Sequence, residues 1–476
     1  MHRKIIYSIV FLPLCLYFTS HKVLLAEPKD NIEAVLQEKE DNILIDYSEI
    51  NNIILENNQE LKSFKQLVSS STYNLSSIIA KRYPSIDLQA SGFPKYIAGK
   101  NYNSNSVTTK TSKFSVDPTL NIRWDLIDPL RGSEIKIAKD NFKVARNNYE
   151  IKLKDLIQEG KSRYHKYQKS FQEVKNKKLA LELSLTSLKN AKSKFDSGIG
   201  TKFEVLEAES ELARDKQALN EKKVQLKINQ ISLKEILGIN TKLEIKNEQN
   251  LIGFWNHNLN KNINHGIAKN LSLRNINLQK SIKQNQANKY INSNKPKIYI
   301  SNAFSSSFSK GDSLSAAIDS SKSASNYTNT LSLNFSWNIF NGGQNKNSYK
   351  SKKAEARSEE YSYQNLQNLL KTNISSAYFN LRLNEEKIIS SLKEISSTKE
   401  SLRLARLRYD VGISTLKDVL IRQKEFSIAR SKNIDAIYNY NLNLDELERL
   451  TFLEISNSCI KDYIHKNNEV KSICNL

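Results

Sequence analysis

The chain has 476 residues, of which 72 are Lys or Arg and 50 are Asp or Glu, giving a formal net charge of +22. So basic a chain ordinarily raises nucleic-acid binding as a candidate function. Here the lysines are spread along the whole chain among Glu, Asn and Ile, and no basic block is interleaved with aromatic residues, so we exclude a nucleic-acid partner.

The first 26 residues have the pattern of a secretory signal peptide. A basic start, Met1–Lys4, precedes an apolar stretch from Ile5 to Thr19, and cleavage is predicted after Ala26. Residues 27–45 are interpreted as an N-terminal linker. No later stretch reaches 18 uninterrupted apolar residues, the length of a membrane-spanning helix. The protein is therefore predicted to be exported, and then either soluble or inserted in a membrane as β-strands.

A duplication organises the rest of the chain. Residues 195–206 read F-D-S-G-I-G-T-K-F-E-V-L, and residues 409–420 read Y-D-V-G-I-S-T-L-K-D-V-L. The spacing is far longer than that of a solenoid repeat, so it indicates one supersecondary plan that was duplicated and fused. We predict a first structural repeat over 46–252, a second over 253–451, and a C-terminal tail over 452–476.

Each repeat is predicted to contain one long helix and two short ones. No proline lies between Pro129 and Pro296 or after Pro296. Because an interior proline costs a helix about 3 kcal/mol, such tracts are free to form long helices. The predicted long helices cover about 131–194 and 344–408, and the short ones about 47–81, 203–237, 259–292 and 416–450. Since two short helices equal one long helix in length, we expect them to lie end to end beside it.

Four segments alternate apolar and polar residues, as strands with two different faces do. Leu120, Ile122 and Trp124 alternate with Asn121 and Arg123, and 86–89, 298–301 and 331–339 follow the same pattern. Ser-, Asn- and Thr-rich loops are predicted at about 94–115 and 309–329. Strict alternation is typical of an outer-membrane β-barrel, and a small half-buried sheet in a soluble protein is the alternative.

A barrel built from this chain would need several copies. Four strands cannot close, a lipid-exposed sheet edge is not tolerated, and single-chain barrels start at eight strands. Two copies would give eight strands and an interior filled by side chains, whereas three copies would give twelve and leave a duct. Trp124 and Trp337, at matching strand ends, fit an aromatic belt at the membrane interface.

The tail carries Cys459 and Cys474. The signal peptide directs them to an oxidising compartment, so we predict a disulfide between them. Two free thiols, or a metal pair completed by His465, are the alternatives.

In order and duplication, these motifs resemble the TolC-type outer-membrane efflux proteins. The resemblance rests on the two turn motifs, on Trp337-Asn-Ile-Phe-Asn-Gly-Gly343, and on the opening at Tyr47 and the closing at Tyr438, and it covers essentially the whole mature chain. It implies a mixed α and β fold and a homotrimer with a twelve-stranded barrel in the outer membrane, continued by a coiled-coil tunnel through the periplasm. It also implies two partners, a periplasmic membrane-fusion adaptor and an inner-membrane pump of the ABC or RND type.

The resemblance assigns roles to residues of the two turns. The adaptor-contact set is Gly198, Thr201, Gly412, Thr415, Val419 and Leu420, and the entrance set is Tyr409, Asp418 and Glu204, with Glu204 as an acceptor for the Tyr409 hydroxyl. Simpler roles are open for several of them. The glycines would supply positive φ, the threonines would cap the following helices, and the two carboxylates would complement the helix dipole.

Catalysis is not expected. The six histidines form no metal-ligand cluster, and Gly198-Ile-Gly-Thr-Lys202 lacks the order of a phosphate-binding loop. We therefore predict no enzyme activity, no metal and no cofactor. A soluble periplasmic coiled-coil scaffold remains the alternative to an efflux or type I secretion duct, and the sequence leaves the choice between small-molecule and protein cargo open.

Overall fold

The computed structural model describes residues 43–102, 108–239, 243–245, 251–314 and 323–456. The predicted signal peptide, most of the predicted linker, and both Cys459 and Cys474 lie outside the described residues.

The two halves of the chain repeat one order of elements. A short strand β1 (Ile43–Ile45) and a 3-10 turn (Tyr47–Glu49) precede the first half. That half contains α1 (Ile50–Asn57), α2 (Gln59–Ala80), β2 (Ser85–Tyr102), β3 (Thr108–Ile127), α3 (Arg131–Asp196) and α4 (Lys202–Leu237). After β4 (Leu243–Ile245), the second half contains α5 (Leu259–Lys269), α6 (Leu271–Asn292), β5 (Lys297–Leu314), β6 (Ser323–Ser336), α7 (Gln344–Asp410) and α8 (Leu416–Thr451). The predicted duplicated, mixed α and β fold is confirmed.

Two regions predicted to be a linker and a tail contribute to the folded body. Strand β1, at the end of the predicted linker, pairs in parallel with β4. At the other end of the chain, Ser456 and Phe254 exchange backbone hydrogen bonds of 2.8 and 3.0 Å. Both contacts join segments that are far apart in sequence, which is why local pattern did not reveal them.

The long helices set the size of the molecule. Helices α3 and α7 contain 66 and 67 residues, so each is about 100 Å long. Helices α2 and α4 both pack against α3, and α6 and α8 both pack against α7. The two halves meet where α3 contacts α6 and α8. Among the described residues, no helix is both long enough and apolar enough to span a membrane.

Two of the predicted short helices are each broken once. Asn58 and Asn270 have extended backbone, with ψ of 121° and 118°, and they separate α1 from α2 and α5 from α6. Each Asn side chain caps the next helix, accepting from Leu61 N–H at 3.0 Å and from Leu273 N–H at 2.9 Å. The prediction of unbroken helices over 47–81 and 259–292 was wrong because these side chains satisfy the backbone of a new helix start.

Strands β2, β3, β5 and β6 form one antiparallel sheet in that order and contain 18, 20, 18 and 14 residues. The loops predicted over 94–115 and 309–329 are wrong in large part, because the strands continue through much of both segments. The ladder between β2 and β3 runs out to Tyr102 opposite Thr108. Both segments contain Thr and aromatic residues, which favour strands. Their polar composition alone therefore did not make them loops.

The two faces of this sheet differ. Leu88, Leu120 and Phe304 stand opposite one another on adjacent strands, and Leu88 is 74% exposed. The other face carries ion pairs, such as Lys95 with Asp117 at 2.5 Å. A half-buried sheet in a soluble protein would cover its apolar face with other protein. The exposed apolar face therefore argues against that alternative.

A buried polar cluster joins the two halves midway along the helices. The carboxylate of Asp445 in α8 accepts a hydrogen bond from the Tyr47 hydroxyl and lies 3.0 Å from Nε2 of His165 in α3. Nζ of Lys161 lies 3.5 Å from Asp445 and 2.6 Å from Glu448. Sequence reasoning missed this cluster because its members are distant in sequence.

Candidate functional site

The end of the molecule farthest from the sheet consists of two helix–turn–helix hairpins. Their turns, here called the tip turns, are residues 195–201, where α3 ends and α4 begins, and residues 409–415, where α7 ends and α8 begins. At the first, the N–H groups of Ile199 and Gly200 both donate to the Lys194 carbonyl at 3.0 Å. At the second, Ile413 and Ser414 donate to the Arg408 carbonyl at 2.8 and 3.2 Å. The duplicated sequence therefore forms the same turn twice.

Each tip turn depends on one glycine with left-handed backbone. Gly198 has φ of 77° and Gly412 has φ of 78°. A Cβ atom added at either glycine would meet no heavy atom within 4 Å. Glycine is therefore required by the backbone conformation and not by lack of space. The predicted positive φ is confirmed at both positions.

Both helices that follow the tip turns begin with a capping box. Thr201 Oγ1 accepts from Glu204 N–H at 3.2 Å, and the Glu204 carboxylate accepts from Thr201 N–H at 3.4 Å. Thr415 and Asp418 make the same reciprocal pair, both bonds being 3.4 Å. The predicted N-caps are confirmed, and the two carboxylates sit at the positive end of the helix dipole.

The second tip turn holds its carboxylate more tightly than the first. Oδ2 of Asp418 also accepts from the Ser414 hydroxyl at 2.6 Å, and the first turn has Gly200 in place of that serine. The Ser414 hydroxyl and then the Thr415 backbone hold the pKa of Asp418 below its usual value. Because a depressed pKa stabilises the fold above the ordinary carboxyl range, this cap is complete at neutral pH and is lost only in acid.

A noncovalent contact joins the two hairpins and was not foreseen from the sequence. Nζ of Lys194 donates to the Tyr409 carbonyl at 2.5 Å and lies 3.8 Å from the centre of the Tyr409 ring. Glu204 was expected to accept from the Tyr409 hydroxyl. Among the described residues that hydroxyl has no hydrogen-bond partner. Burial first, and then the charges of Glu204 and Asp410, raise the pKa of Tyr409 to about 12, so the hydroxyl stays protonated.

Two residues of the predicted adaptor contact are core residues. Val419 and Leu420 are 2% and 8% exposed, and they pack with Leu416 and Tyr409 in the apolar core of the tip. They were assigned to the surface because they follow the turn closely in sequence, but the first turn of α8 directs them inward. The apolar side chains that do face outward are Ile199, Phe203, Val411 and Ile413, which are 69–77% exposed. Ile199, Val411 and Ile413 directly flank a turn glycine, which was the signal available in the sequence, whereas Phe203 lies five residues after Gly198.

The two tryptophans mark the opposite end of the molecule, where the sheet meets the helices. Nε1 of Trp124 donates to the Arg82 carbonyl at 2.9 Å, and Nε1 of Trp337 donates to the Asn294 carbonyl at 2.7 Å. Each ring is about half exposed. The pair shows the same duplicated geometry as the tip turns.

An exposed apolar sheet at one end, two helices of about 100 Å, and paired tip turns at the other end define the class of outer-membrane channels that carry a helical extension. A family profile described as "Outer membrane efflux protein" matches residues 51–239 and 268–451, a stretch within each half. The chain belongs to this family. The predicted resemblance, the channel class and the outer-membrane location are thereby confirmed.

Solved structures support the fold. The chain is 16% identical to CusC, with a TM-score of 0.70 over 86% of this chain and 93% of that one. It is 16% identical to the Campylobacter jejuni CmeC outer-membrane channel, with a TM-score of 0.69 over 94% and 97%. The outer-membrane protein VceC of Vibrio cholerae is 12% identical, with a TM-score of 0.67 over 85% and 96%. A sequence search of curated proteins finds no match.

Proposed function

We propose that this protein is the homotrimeric exit duct of a tripartite efflux or type I secretion system. It would passively conduct substrates from a periplasmic adaptor and an inner-membrane pump, of the ABC or RND type, to the outside. One observation carries the proposal: a four-stranded sheet with an exposed apolar face continues directly into helices of about 100 Å.

The number of copies follows from the sheet edges. The order β2-β3-β5-β6 leaves one edge of β2 and one edge of β6 without a partner strand among the described residues. Unpaired backbone groups are too costly in lipid, so each β6 edge must meet the β2 edge of another copy. Three copies give twelve strands and an interior wide enough for a duct, whereas eight strands are filled by side chains.

The experiment that tests this function combines assembly with conductance. The full-length protein, processed in its host, should resist carbonate extraction, run in detergent at the mass of three chains, and form discrete conducting channels in planar bilayers. A folded monomer, or release by carbonate, would contradict the duct and favour the periplasmic scaffold.

The tip turns are the proposed contact for the adaptor. Four large apolar side chains, Ile199, Phe203, Val411 and Ile413, are exposed there. Exposed apolar clusters on soluble surfaces mark interaction sites. Gly198, Thr201, Gly412 and Thr415 would act indirectly, by holding the two turns in shape.

Substituting Gly412 tests this contact. Gly412→Val should strain the turn by about 1–3 kcal/mol, because a β-branched residue disfavours positive φ. We expect cross-linking between adaptor and tip to fall several-fold while the trimer persists. Gly412→Asn is the matched control, since Asn tolerates left-handed backbone. Equal cross-linking by the Val variant and the wild type would remove this turn from the contact.

Tyr409, Asp418 and Glu204 are the proposed entrance residues. Around a three-fold axis, like-charged carboxylates repel one another unless cations lie between them. Asp418→Asn keeps an oxygen acceptor for the cap and removes the charge. It should therefore weaken block of single-channel conductance by divalent cations, with only a small loss of thermal stability from the lost helix-dipole interaction. An unchanged block would leave Asp418 with the capping role alone.

A further inference from the structure

The strand register identifies the residues that face lipid at the outer end of the sheet. Phe114 stands opposite Tyr96 on β2 and opposite Lys310 on β5. All three have the same parity as the apolar residues Leu120 and Phe304, so they share the lipid-facing side. The Tyr96 and Phe114 rings contact each other, with centroids 5.0 Å apart.

This row lies at the height of the outer membrane interface. Along β3, Phe114 is ten residues from Trp124, about 34 Å at the usual rise per residue. With strands tilted by roughly 40°, that length spans about 25 Å along the membrane normal, the height of the apolar band in such sheets. Trp124 is next to the helices, so Tyr96, Phe114 and Lys310 lie at the extracellular side.

The lysines on the two faces of the sheet differ in whether they have a carboxylate partner. On the polar face, Lys95 pairs with Asp117 at 2.5 Å and Lys297 with Asp125 at 2.9 Å. On the lipid-facing side, Lys310 and Lys100 are exposed, and neither has a carboxylate within 4.0 Å among the described residues.

The register also gives the relative positions of the two lysines. Lys310 is level with Phe114 and Tyr96, and Lys100 lies four residues beyond Tyr96 on β2, on the side away from Trp124. Because neither lysine has a carboxylate partner among the described residues, an anion from outside the chain would neutralise them.

We propose that Lys100 and Lys310 bind the phosphate groups of the phosphorylated glycolipid in the outer leaflet. Lysine is an effective point charge for phosphate, and the neighbouring aromatic pair would contact the sugar and the upper acyl chains at the interface. The inference rests on the outer-membrane location and on the strand register, and is independent of which pump or substrate the duct serves.

The test is lipid retention by the intact trimer. Purified trimer is incubated with diphosphoryl lipid A, monophosphoryl lipid A, dephosphorylated lipid A or phosphatidylglycerol, and bound lipids are counted by native mass spectrometry. We expect the diphosphoryl form to bind best and the dephosphorylated form least. The double variant Lys100→Gln with Lys310→Gln should lower affinity for the diphosphoryl form about tenfold or more.

The matched control removes the same charge elsewhere. Lys178→Gln with Lys399→Gln changes two exposed lysines on the long helices and should leave lipid binding unchanged. Equal binding of the phosphorylated and dephosphorylated forms, or unchanged binding by the Lys100 and Lys310 variant, would overturn the proposal. Equal or tighter binding of phosphatidylglycerol would also overturn it, by replacing the glycolipid with an ordinary anionic phospholipid.

Discussion

Leu120→Arg will strongly reduce the amount of assembled protein in the outer membrane, whereas Asn121→Arg will not. Leu120 lies in the middle of the lipid-facing band, between Leu88 and Phe304 on the adjacent strands. An arginine at the bilayer midplane of a membrane barrel costs roughly 2–4 kcal/mol. In the proposed trimer the cost would arise three times, which is comparable to the whole stability of an ordinary domain.

Asn121 is a sharp control because it is the next residue along the same strand. Its register partners are Asp87 and Ala303, and it faces the polar side of the sheet. An arginine at position 121 would be solvated and would lie opposite the Asp87 carboxylate. The amount of assembled protein recovered from outer-membrane fractions measures the outcome. Comparable losses in the two variants would contradict the assignment of faces.

Asp445→Leu will destabilise the helical body by about 3 kcal/mol or more, because removing one member of a buried charged pair leaves the other uncompensated. The Asp445 and His165 side chains are 2% and 1% exposed, and Lys161 is 9% exposed. Burial foremost, and then Asp445 itself, raise the pKa of Tyr47, so this hydroxyl remains a donor that would lose its acceptor. Lys161 still has Glu448 as a partner at 2.6 Å, so we expect a cost near the lower end of the roughly 3–5 kcal/mol that is typical of a broken buried ion pair.

The matched control is Glu425→Leu. Glu425 pairs with Arg422 at 2.5 Å on the same helix, and the two side chains are 42% and 44% exposed. An exposed pair contributes about 0–1 kcal/mol, since water solvates either charge after the loss of its partner. Denaturation midpoints of the two variants, measured on the detergent-extracted protein in the same detergent, separate the cases. Similar midpoints would mean that the buried cluster does not stabilise the junction between the halves.

Local sequence was sufficient to predict the features that depend only on residues a few positions apart in the chain. The left-handed backbone of Gly198 and Gly412 and the caps by Thr201 and Thr415 involve only neighbours a few positions away. The alternating strands and the absence of proline after Pro296 are also local properties. Because the same local patterns occur twice, the duplicated plan and its family could be predicted from the sequence.

Tertiary structure alone decided where a side chain finds its partner. Val419 and Leu420 are buried because α8 packs against other helices at the tip, and nothing next to them in sequence indicates which side that is. Tyr409 contacts Lys194 instead of Glu204, since this contact depends on how two distant hairpins lie against each other. The Asp445 cluster draws on three separate segments. Such contacts depend on the relative placement of elements, which periodicity and composition do not encode.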